Sequence, residues 1–491
     1  MVFSTIIFLL RFLPITLALY YLAPPKLKNT VLFLCSLVFY CWGEVRFFPV
    51  MLALILINYL CGLGLERFEQ NKTARLILLL IALAGSLGML FYFKYANFVL
   101  SSINAIFGTG FAPIQGISVL PLGISFYTFQ IISYTVDVYR GEPAQKNLIH
   151  LAAYVSMFPQ LIAGPIVRYS DIAQQLEHRS HSTALAAEGV RRFLIGLGKK
   201  ILIANQLGEL CSVFRASDEK SVLFYWLYAV AFALHIYFDF SGYSDMAIGL
   251  GKVFGFHFLE NFNYPYISAS ITEFWRRWHM SLGTWFRDYV YIPLGGNRVG
   301  RARQLLNILV VWMLTGFWHG AAWNFVVWGL MFAVLLIMEK LWLLKPLSKC
   351  RPLAHLYVVF FVVISFVIFN AENMGQALSD IGGLFGAGGI PLVSAEAVYC
   401  LRSFALVLIL AVLGATPLLR NGLVRLSQYP TAGKVLNALE PFTLFVLLLV
   451  MTGYLVDGSF NPFLPHNRND LLSDFYMAQE TGTALRDRLP S

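Results

Sequence analysis

Long apolar runs separated by short polar segments make up this chain up to about residue 456. A membrane-spanning helix needs about 20 mostly apolar residues, and this length recurs along the sequence. The pattern predicts roughly ten to twelve spans, several of them short or broken. The predicted spans are 3–22, 30–48, 49–64, 76–93, 117–136, 149–166, 222–238, 304–318, 321–338, 355–370, 401–419 and 440–456. We therefore expect an all-α, polytopic membrane helix bundle.

Glycine and proline interrupt two of these runs, at 121–123 and at 163–165. A broken backbone inside a membrane is tolerated where protein or water satisfies its polar groups. These two segments are therefore predicted to be re-entrant.

Composition excludes a water-soluble protein. Hydrophobic residues make up 58% of the 491 residues and charged residues only 13%, about half the charged share of a typical soluble domain. No polar stretch is long enough to form a separate soluble domain. We predict one integral membrane domain over 1–456, followed by a polar C-terminal tail over 457–491.

The basic residues lie in short loops, where they indicate orientation and not nucleic-acid binding, although the formal net charge is +10. The segment between Arg351 and Arg402 contains no Lys or Arg, so we expect it to face outward together with the N-terminus and the tail. The loops predicted to be cytoplasmic carry Lys26 and Lys28; Arg67, Lys72 and Arg75; Lys340, Lys345, Lys349 and Arg351; and Arg420, Arg425 and Lys434.

Two long segments on the predicted cytoplasmic side have helical signals. Residues 189–205 place apolar side chains on one face and basic ones on the other, which is typical of a helix lying in the headgroup plane. Ser270 and Glu273 have the spacing of a capping box, so a helix is predicted to begin near Ile271.

Soluble-enzyme signatures are absent from the sequence: there is no phosphate-binding loop, GxSxG elbow, HExxH motif or GxGxxG motif. The six cysteines are widely spaced and have no metal-ligand pattern. His178 and His181 lie three residues apart in a polar loop, but no third ligand accompanies them. We therefore expect no metal and no bound cofactor.

His319 is the leading candidate for chemistry. It lies near the middle of residues 304–338, which contain no Asp, Glu, Lys or Arg. Ionisable groups at membrane depth are costly and usually mark a function. An imidazole with an ordinary pKa near 6.5 could act as a general base. The alternative is a neutral histidine that bonds a backbone carbonyl.

His279 is the second candidate, on an Arg-rich segment predicted to be one helix. It is either catalytic or an interfacial packing residue. The neighbouring Arg276, Arg277 and Arg287 could hold the phosphates of a nucleotide-tailed donor, because guanidinium groups match phosphate oxygens. Lipid headgroups would satisfy the same arginines equally well.

Asp239 and Asp245 are two carboxylates at the end of an apolar run, where each needs a partner. Either one could orient a catalytic histidine, or form a structural salt bridge. The sequence leaves both alternatives open.

Several motifs resemble the membrane-bound O-acyltransferase superfamily, and within it the bacterial alginate O-acetylation branch. The similarity extends over most of the chain to about residue 339. The motifs are the opening residues 1–4, YFKYANF at 92–98, PLGISFY at 121–127, FPQLIAGP at 158–165, the run 237–251, ITEFWRRWHMSL with its continuation to 296, and GFWHG at 316–320.

The resemblance implies a helix bundle around a central tunnel or funnel, with re-entrant and cytoplasmic interfacial helices. His319 matches the superfamily histidine, and His279 matches a second histidine typical of the branch. The implied activity moves an acetyl group from a cytoplasmic thioester, acetyl-CoA as co-substrate, across a bacterial inner membrane. An extracytoplasmic O-acetyltransferase partner then modifies a polysaccharide such as alginate.

Two other functions remain open from the sequence. A polysaccharide transporter or exporter also uses broken helices and ionisable residues at the midplane, although no repeated half is visible here. A D-alanyl transferase would take its acyl group from a carrier-protein thioester.

Overall fold

The computed structural model describes residues 3–117 and 119–457, and within these ranges the chain is helical and contains no β-strand. This confirms the all-α class. The α-helices are Leu13–Leu22, Lys28–Gly43, Phe48–Arg67, Lys72–Leu90, Ala96–Phe107, Ile124–Arg140, Leu148–Ser156, Phe158–Leu161, Tyr169–Glu177, Thr183–Gly198, Asn205–Ala216, Val222–Val253, Ile271–Trp275, Met280–Phe286, Arg301–His319, Trp323–Met338, Leu344–Lys349, Arg351–Asn370, Met374–Leu384, Ala395–Ser403, Ala405–Gly414, Leu418–Ser427 and Pro430–Asp457. Short π-helical turns occupy Phe8–Phe12, Phe91–Tyr95, Lys199–Ala204, Arg287–Tyr291 and Glu339–Leu343, and 3₁₀ turns occupy Pro25–Leu27, Pro265–Ile267 and Ala387–Gly389.

Six helices in the described part of the chain are long and apolar enough to cross a membrane, which makes this a multi-pass membrane protein. A seventh crossing is possible if Ala395–Ser403 and Ala405–Gly414, bent by 57° at their junction, form one broken span. The other predicted spans form helices that are shorter or more polar. The six are Phe48–Arg67, Lys72–Phe107, Val222–Val253, Trp323–Lys349, Arg351–Asn370 and Pro430–Asp457. The predicted tail falls outside the described residues from position 458 onward.

The two glycine- and proline-interrupted segments meet in the interior. The predicted span over 149–166 is instead two short helices, Leu148–Ser156 and Phe158–Leu161. Gly123 precedes the next element with φ +68°, and a Cβ placed there would lie 2.7 Å from the carbonyl oxygen of Leu161. Only glycine fits this left-handed, close approach without strain.

Residues 183–216 form a long helix that runs antiparallel along Val222–Val253, and this corrects the orientation expected for 189–205. The two backbones nearly touch: a Cβ on Gly189 would lie 2.5 Å from the oxygen of Gly249, and one on Gly196 would lie 2.5 Å from that of Gly242. Because Val222–Val253 is a candidate span, its partner lies beside it and not flat in the headgroup plane.

The basic face predicted for this helix is paired with carboxylates instead of lying free toward lipid headgroups. Arg191 pairs with Glu440 on the last helix, while Arg192 and Lys199 pair with Asp245 on the adjacent span. Both the apolar and the basic face of this helix therefore contact other helices of the protein.

Two loops that are predicted to face opposite sides of the membrane are found at opposite ends of the helix Val222–Val253. At one end, the Val222 N–H donates to the Pro391 carbonyl over 3.0 Å. At the other end, the Tyr21 hydroxyl donates to the Val253 carbonyl over 2.5 Å. A helix of this length is roughly 48 Å long. The basic loop near Tyr21 and the loop containing Pro391 are thus separated as expected, and which end is cytoplasmic stays a prediction.

Candidate active site

The segment around His279 folds as two short helices and not as the single Arg-rich helix expected. The predicted start is confirmed, since Ser270 Oγ accepts the Glu273 N–H over 3.0 Å and the helix begins at Ile271. It ends at Trp275, and His279 itself takes φ +46° before Met280–Phe286 begins. A left-handed non-glycine residue is uncommon and often marks a functional site.

Glu339 anchors this segment from the neighbouring span. Its buried carboxylate accepts the N–H groups of Ile271 over 2.6 Å and of Thr272 over 2.9 Å. An anion at a helix N-terminus satisfies donors that have no intrahelical partner and is stabilised by the helix dipole. The span and the His279 segment are thereby fixed relative to each other.

Asn261 selects the tautomer of the His279 ring. Its Oδ1 accepts the backbone N–H of Ser281 over 3.2 Å and lies 3.2 Å from His279 Nδ1. Because that oxygen can only accept, Nδ1 carries the hydrogen and Nε2 has the lone pair. Burial lowers the pKa of His279, which lies outside the membrane-spanning helices, to about 3, so the ring is neutral at physiological pH.

His279 Nε2 is buried and has no hydrogen-bond partner in the described part of the protein. Buried polar atoms are nearly always paired, so an unpaired acceptor calls for an explanation such as a catalytic role. The tautomer fixed by Asn261 therefore leaves an available acceptor nitrogen.

His319 is the last residue of the helix Arg301–His319 and lies among aromatic rings. Its ring centroid is 5.0 Å from that of Trp328, 5.1 Å from Trp318 and 5.3 Å from Phe369. The helix reaches this position because Gly316 packs on the next span, where a Cβ would lie 2.3 Å from the Phe325 carbonyl oxygen. The glycines on either side of His319 therefore allow the helix that begins at Trp323 to pack closely against this segment.

Two side chains from the π-helical turn Phe91–Tyr95 bind the C-terminus of the His319 helix. Lys94 Nζ donates to the Trp318 carbonyl over 2.8 Å, and the Tyr95 hydroxyl donates to the Phe317 carbonyl over 2.8 Å. The last carbonyls of a helix lack intrahelical donors, and a cation there is favoured by the dipole. Lys94 and Tyr95 consequently hold the backbone just before His319.

Both histidines line one small apolar cavity of about 70 Å³. This space admits an acetyl-sized group but not a whole coenzyme. The tunnel implied by the family resemblance would have to pass through this cavity, and a continuous passage to either face stays a prediction. Its walls are Phe126, Ile162, Ala163, Ile236, Asp239, Phe240, Trp278, His279, Trp318, His319, Trp328, Phe366 and Phe369.

Asp239 lines the same cavity but is paired with Lys200. Their side chains are almost fully buried, and Lys200 Nζ lies 2.5 Å from Asp239 Oδ1. Two opposite charges out of water stabilise each other, and either one alone would be costly. The geometry favours the structural alternative for Asp239.

Asp245 is not among the residues that line the cavity, so its role in orienting a histidine stays a prediction. It pairs with Arg192 over 2.8 Å and with Lys199 over 2.7 Å. This carboxylate holds the two long helices together.

The three arginines predicted to bind a donor also lie outside the cavity. Arg277 pairs with Glu273 over 2.9 Å, Arg287 pairs with Asp288 over 2.6 Å, and Arg276 is exposed. Their binding of phosphate stays a prediction, because the cavity does not bring them to the histidines.

Sequence reasoning missed Asn261, Lys94 and Glu339 as parts of this site. Lys94 had a usable signal, since it is an ionisable residue inside a long apolar helix, the same criterion that singled out His319. Asn261 had none, because a neutral amide in a polar loop shows no spacing pattern.

The fold and the cavity together define a class of protein: a multi-pass membrane protein in which the buried His279 and the half-buried His319 line one cavity, and His279 bears an available acceptor nitrogen. Residues 78–374 match the model of the membrane-bound O-acyltransferase family, MBOAT, and the chain belongs to this family. It is therefore an acyltransferase, as the motifs indicated.

Individual relatives support the same assignment. The chain is 44% identical over 392 residues to a protein of Azotobacter vinelandii named "Probable alginate O-acetylase AlgI", covering 79% of each chain. It is 33% identical to the peptidoglycan O-acetyltransferase of Helicobacter pylori, over 80% of this chain and 81% of that one. It is 30% identical to the teichoic acid D-alanyltransferase of Bacillus subtilis, over 51% of this chain and 69% of that one.

Proposed function

We propose that the protein takes an acetyl group from a cytoplasmic thioester, acetyl-CoA, and passes it across the bacterial inner membrane for O-acetylation of alginate. The observation that carries the proposal is the single apolar cavity shared by His279 and His319. The relatives named for O-acetylation, with 79% and 80% of this chain aligned, support acetyl as the acyl group. An extracytoplasmic O-acetyltransferase is the proposed partner.

In the proposed step, His319 accepts the proton of an incoming hydroxyl, whose oxygen attacks the thioester carbonyl. The carbon–sulfur bond breaks, an oxygen ester forms, and the proton passes to the leaving thiolate. His279 acts as a second acid/base or positioning group through Nε2. Aromatic walls exclude water, which limits hydrolysis of the thioester.

The D-alanyl alternative has weaker support, since the similarity to the teichoic acid enzyme extends over only 51% of this chain. A transporter gains nothing from an unpaired histidine acceptor in a cavity of about 70 Å³. Neither alternative displaces acetyl transfer.

Proteoliposomes containing the purified protein, labelled acetyl-CoA and an added hydroxyl acceptor for the acetyl group test the proposal. We expect thiol release that falls by roughly 10²- to 10⁴-fold in His319→Ala, the contribution of a general base. His257→Ala is the matched control, because His257 is exposed and outside the cavity. Release only from a carrier-protein thioester would favour the D-alanyl alternative. Equal release by His319→Ala and wild type would remove His319 from the mechanism.

A further inference from the structure

A second cavity, of about 960 Å³, lies at the end of the bundle where Lys26 and Lys28 are found. It shares no lining residue with the histidine cavity. Three separate segments form it, so the folded chain gathers residues that are far apart in sequence. We call it the basic cavity, and its walls are Pro25, Lys26, Lys28, Asn29, Asn147, His150, Leu176, Glu177, His178, Arg179, Ser180 and His181.

Positive charge is in excess in the basic cavity. Lys26, Lys28 and Arg179 face a single carboxylate, that of Glu177. Burial, and after it the nearby Arg179 charge, lowers the pKa of Lys28. Three histidines, His150, His178 and His181, add further donors.

Arg179 is held rigidly by neutral groups. Its Nε donates to the Tyr20 hydroxyl over 2.9 Å, and its Nη1 donates to Asn29 Oδ1 over 2.6 Å. The guanidinium also lies 4.4 Å from the centroid of the Phe256 ring. Ordering the side chain in advance reduces the entropy lost when a ligand binds.

The charge of Arg179 is uncompensated in the described part of the protein. Within residues 3–117 and 119–457 no carboxylate forms an ion pair with it, and its buried Nη2 has no hydrogen-bond partner. Arg168, Arg192 and Arg215, by contrast, each pair with an aspartate. An arginine fixed without an anion in a cationic cavity is suited to an external anion.

We propose that the basic cavity binds the phosphate groups of an anionic ligand. The unpaired Nη2 of Arg179 and two ammonium groups supply donors for the oxygens of a diphosphate or a phosphodiester. The volume lies near the upper end of ordinary ligand pockets, which leaves room for a group attached to the phosphates. Phosphate of this kind comes from a soluble nucleotide-type molecule or from a phospholipid headgroup, and the proposal does not rest on acetyl transfer.

Calorimetric titration of pyrophosphate into the full chain in phosphatidylcholine nanodiscs tests this site without any acyl donor. We expect saturable binding that is weakened roughly tenfold or more in Arg179→Gln and in Lys28→Gln, as expected for loss of a charged hydrogen bond. Lys72→Gln is the matched control, since Lys72 is exposed at the same end and outside the cavity. Lys28→Gln keeps the test valid if Arg179→Gln misfolds.

A second arm identifies the source of the phosphate. Nanodiscs that contain phosphatidylglycerol are titrated in the same way. If phosphatidylglycerol weakens pyrophosphate binding to the wild type but not to Lys28→Gln, the natural ligand is a lipid headgroup. If pyrophosphate binds the wild type equally well with and without phosphatidylglycerol, the ligand is soluble. If neither pyrophosphate nor phosphatidylglycerol binds in a manner that depends on Lys28 or Arg179, the proposal is overturned.

Discussion

His279 and Asn261 form a donor–acceptor pair, with the ring Nδ1 of His279 3.2 Å from the side-chain oxygen of Asn261. The same oxygen also accepts from the Ser281 hydroxyl over 2.9 Å, and the Asn261 amide nitrogen donates to Ser244 over 3.0 Å. The orientation of the amide is therefore fixed from both ends. Asn261 acts through His279, which makes it a positioning residue.

Asn261→Ala is expected to lower kcat by roughly 10- to 100-fold, the effect of losing one hydrogen bond that fixes a catalytic group. KM for the acyl donor should change little, since Asn261 lies outside the cavity wall. Steady-state thioester cleavage at varied donor concentration measures both constants.

Ser244→Ala is the control for Asn261, because it removes the bond to the amide nitrogen and leaves the bond to His279 intact. We expect it to retain most of the activity. A rise in KM with unchanged kcat in Asn261→Ala would argue against a role in orienting the histidine.

The helical class could be predicted because the length and hydrophobicity of a membrane span can be read from one continuous segment, without knowledge of what it packs against. The orientation of 189–205 could not, since its basic face is neutralised by Asp245 and Glu440, which lie far away in sequence. A single amphipathic pattern does not reveal whether its polar face meets water or a carboxylate on another helix.

The site could be predicted in part. His319 and His279 carried a chemical signal in the sequence, and both line the cavity. Asp245 carried the same signal as Asp239, but of the two only Asp239 lines the cavity. The sequence does not show which of the two carboxylates faces the histidines. The break at His279 was also hidden, because its left-handed backbone depends on the contacts of Asn261.

Lys94→Met should reduce activity by roughly tenfold and lower stability by about 1–2 kcal/mol, because the Trp318 carbonyl loses a buried cationic donor at a helix C-terminus. Thioester cleavage and thermal unfolding in detergent measure the two effects. Lys94→Arg keeps the charge and should recover part of the activity.

Tyr95→Phe serves as the comparison for Lys94, since it removes the hydroxyl that bonds the Phe317 carbonyl and leaves Lys94 in place. We expect a smaller loss than in Lys94→Met. Full activity in Lys94→Met would show that support of the Trp318 carbonyl is dispensable for His319.

Gly316→Ala is expected to destabilise the protein by about 1–3 kcal/mol, the cost of overpacking a close helix contact. The new Cβ would lie 2.3 Å from the Phe325 carbonyl oxygen, which forces the two helices apart next to His319. Thermal unfolding measures the change. Gly88→Ala, where nothing lies within 4 Å of the new Cβ, should be neutral or slightly stabilising; equal effects at both positions would refute the packing explanation.

Asp239→Asn should destabilise the protein by about 3–5 kcal/mol, because it leaves the Lys200 ammonium buried without its ion-pair partner. Adding Lys200→Met removes the uncompensated charge, so the double variant should regain most of the stability. Thermal unfolding of the two single variants and the double variant measures the coupling between the side chains.

Activity of that double variant then separates the two roles open to Asp239. If the carboxylate only neutralises Lys200, thioester cleavage should return to within about tenfold of wild type once the fold is restored. A double variant that is as stable as wild type but inactive would instead assign Asp239 to the reaction, since the cavity it shares with both histidines would be intact and the chemistry lost.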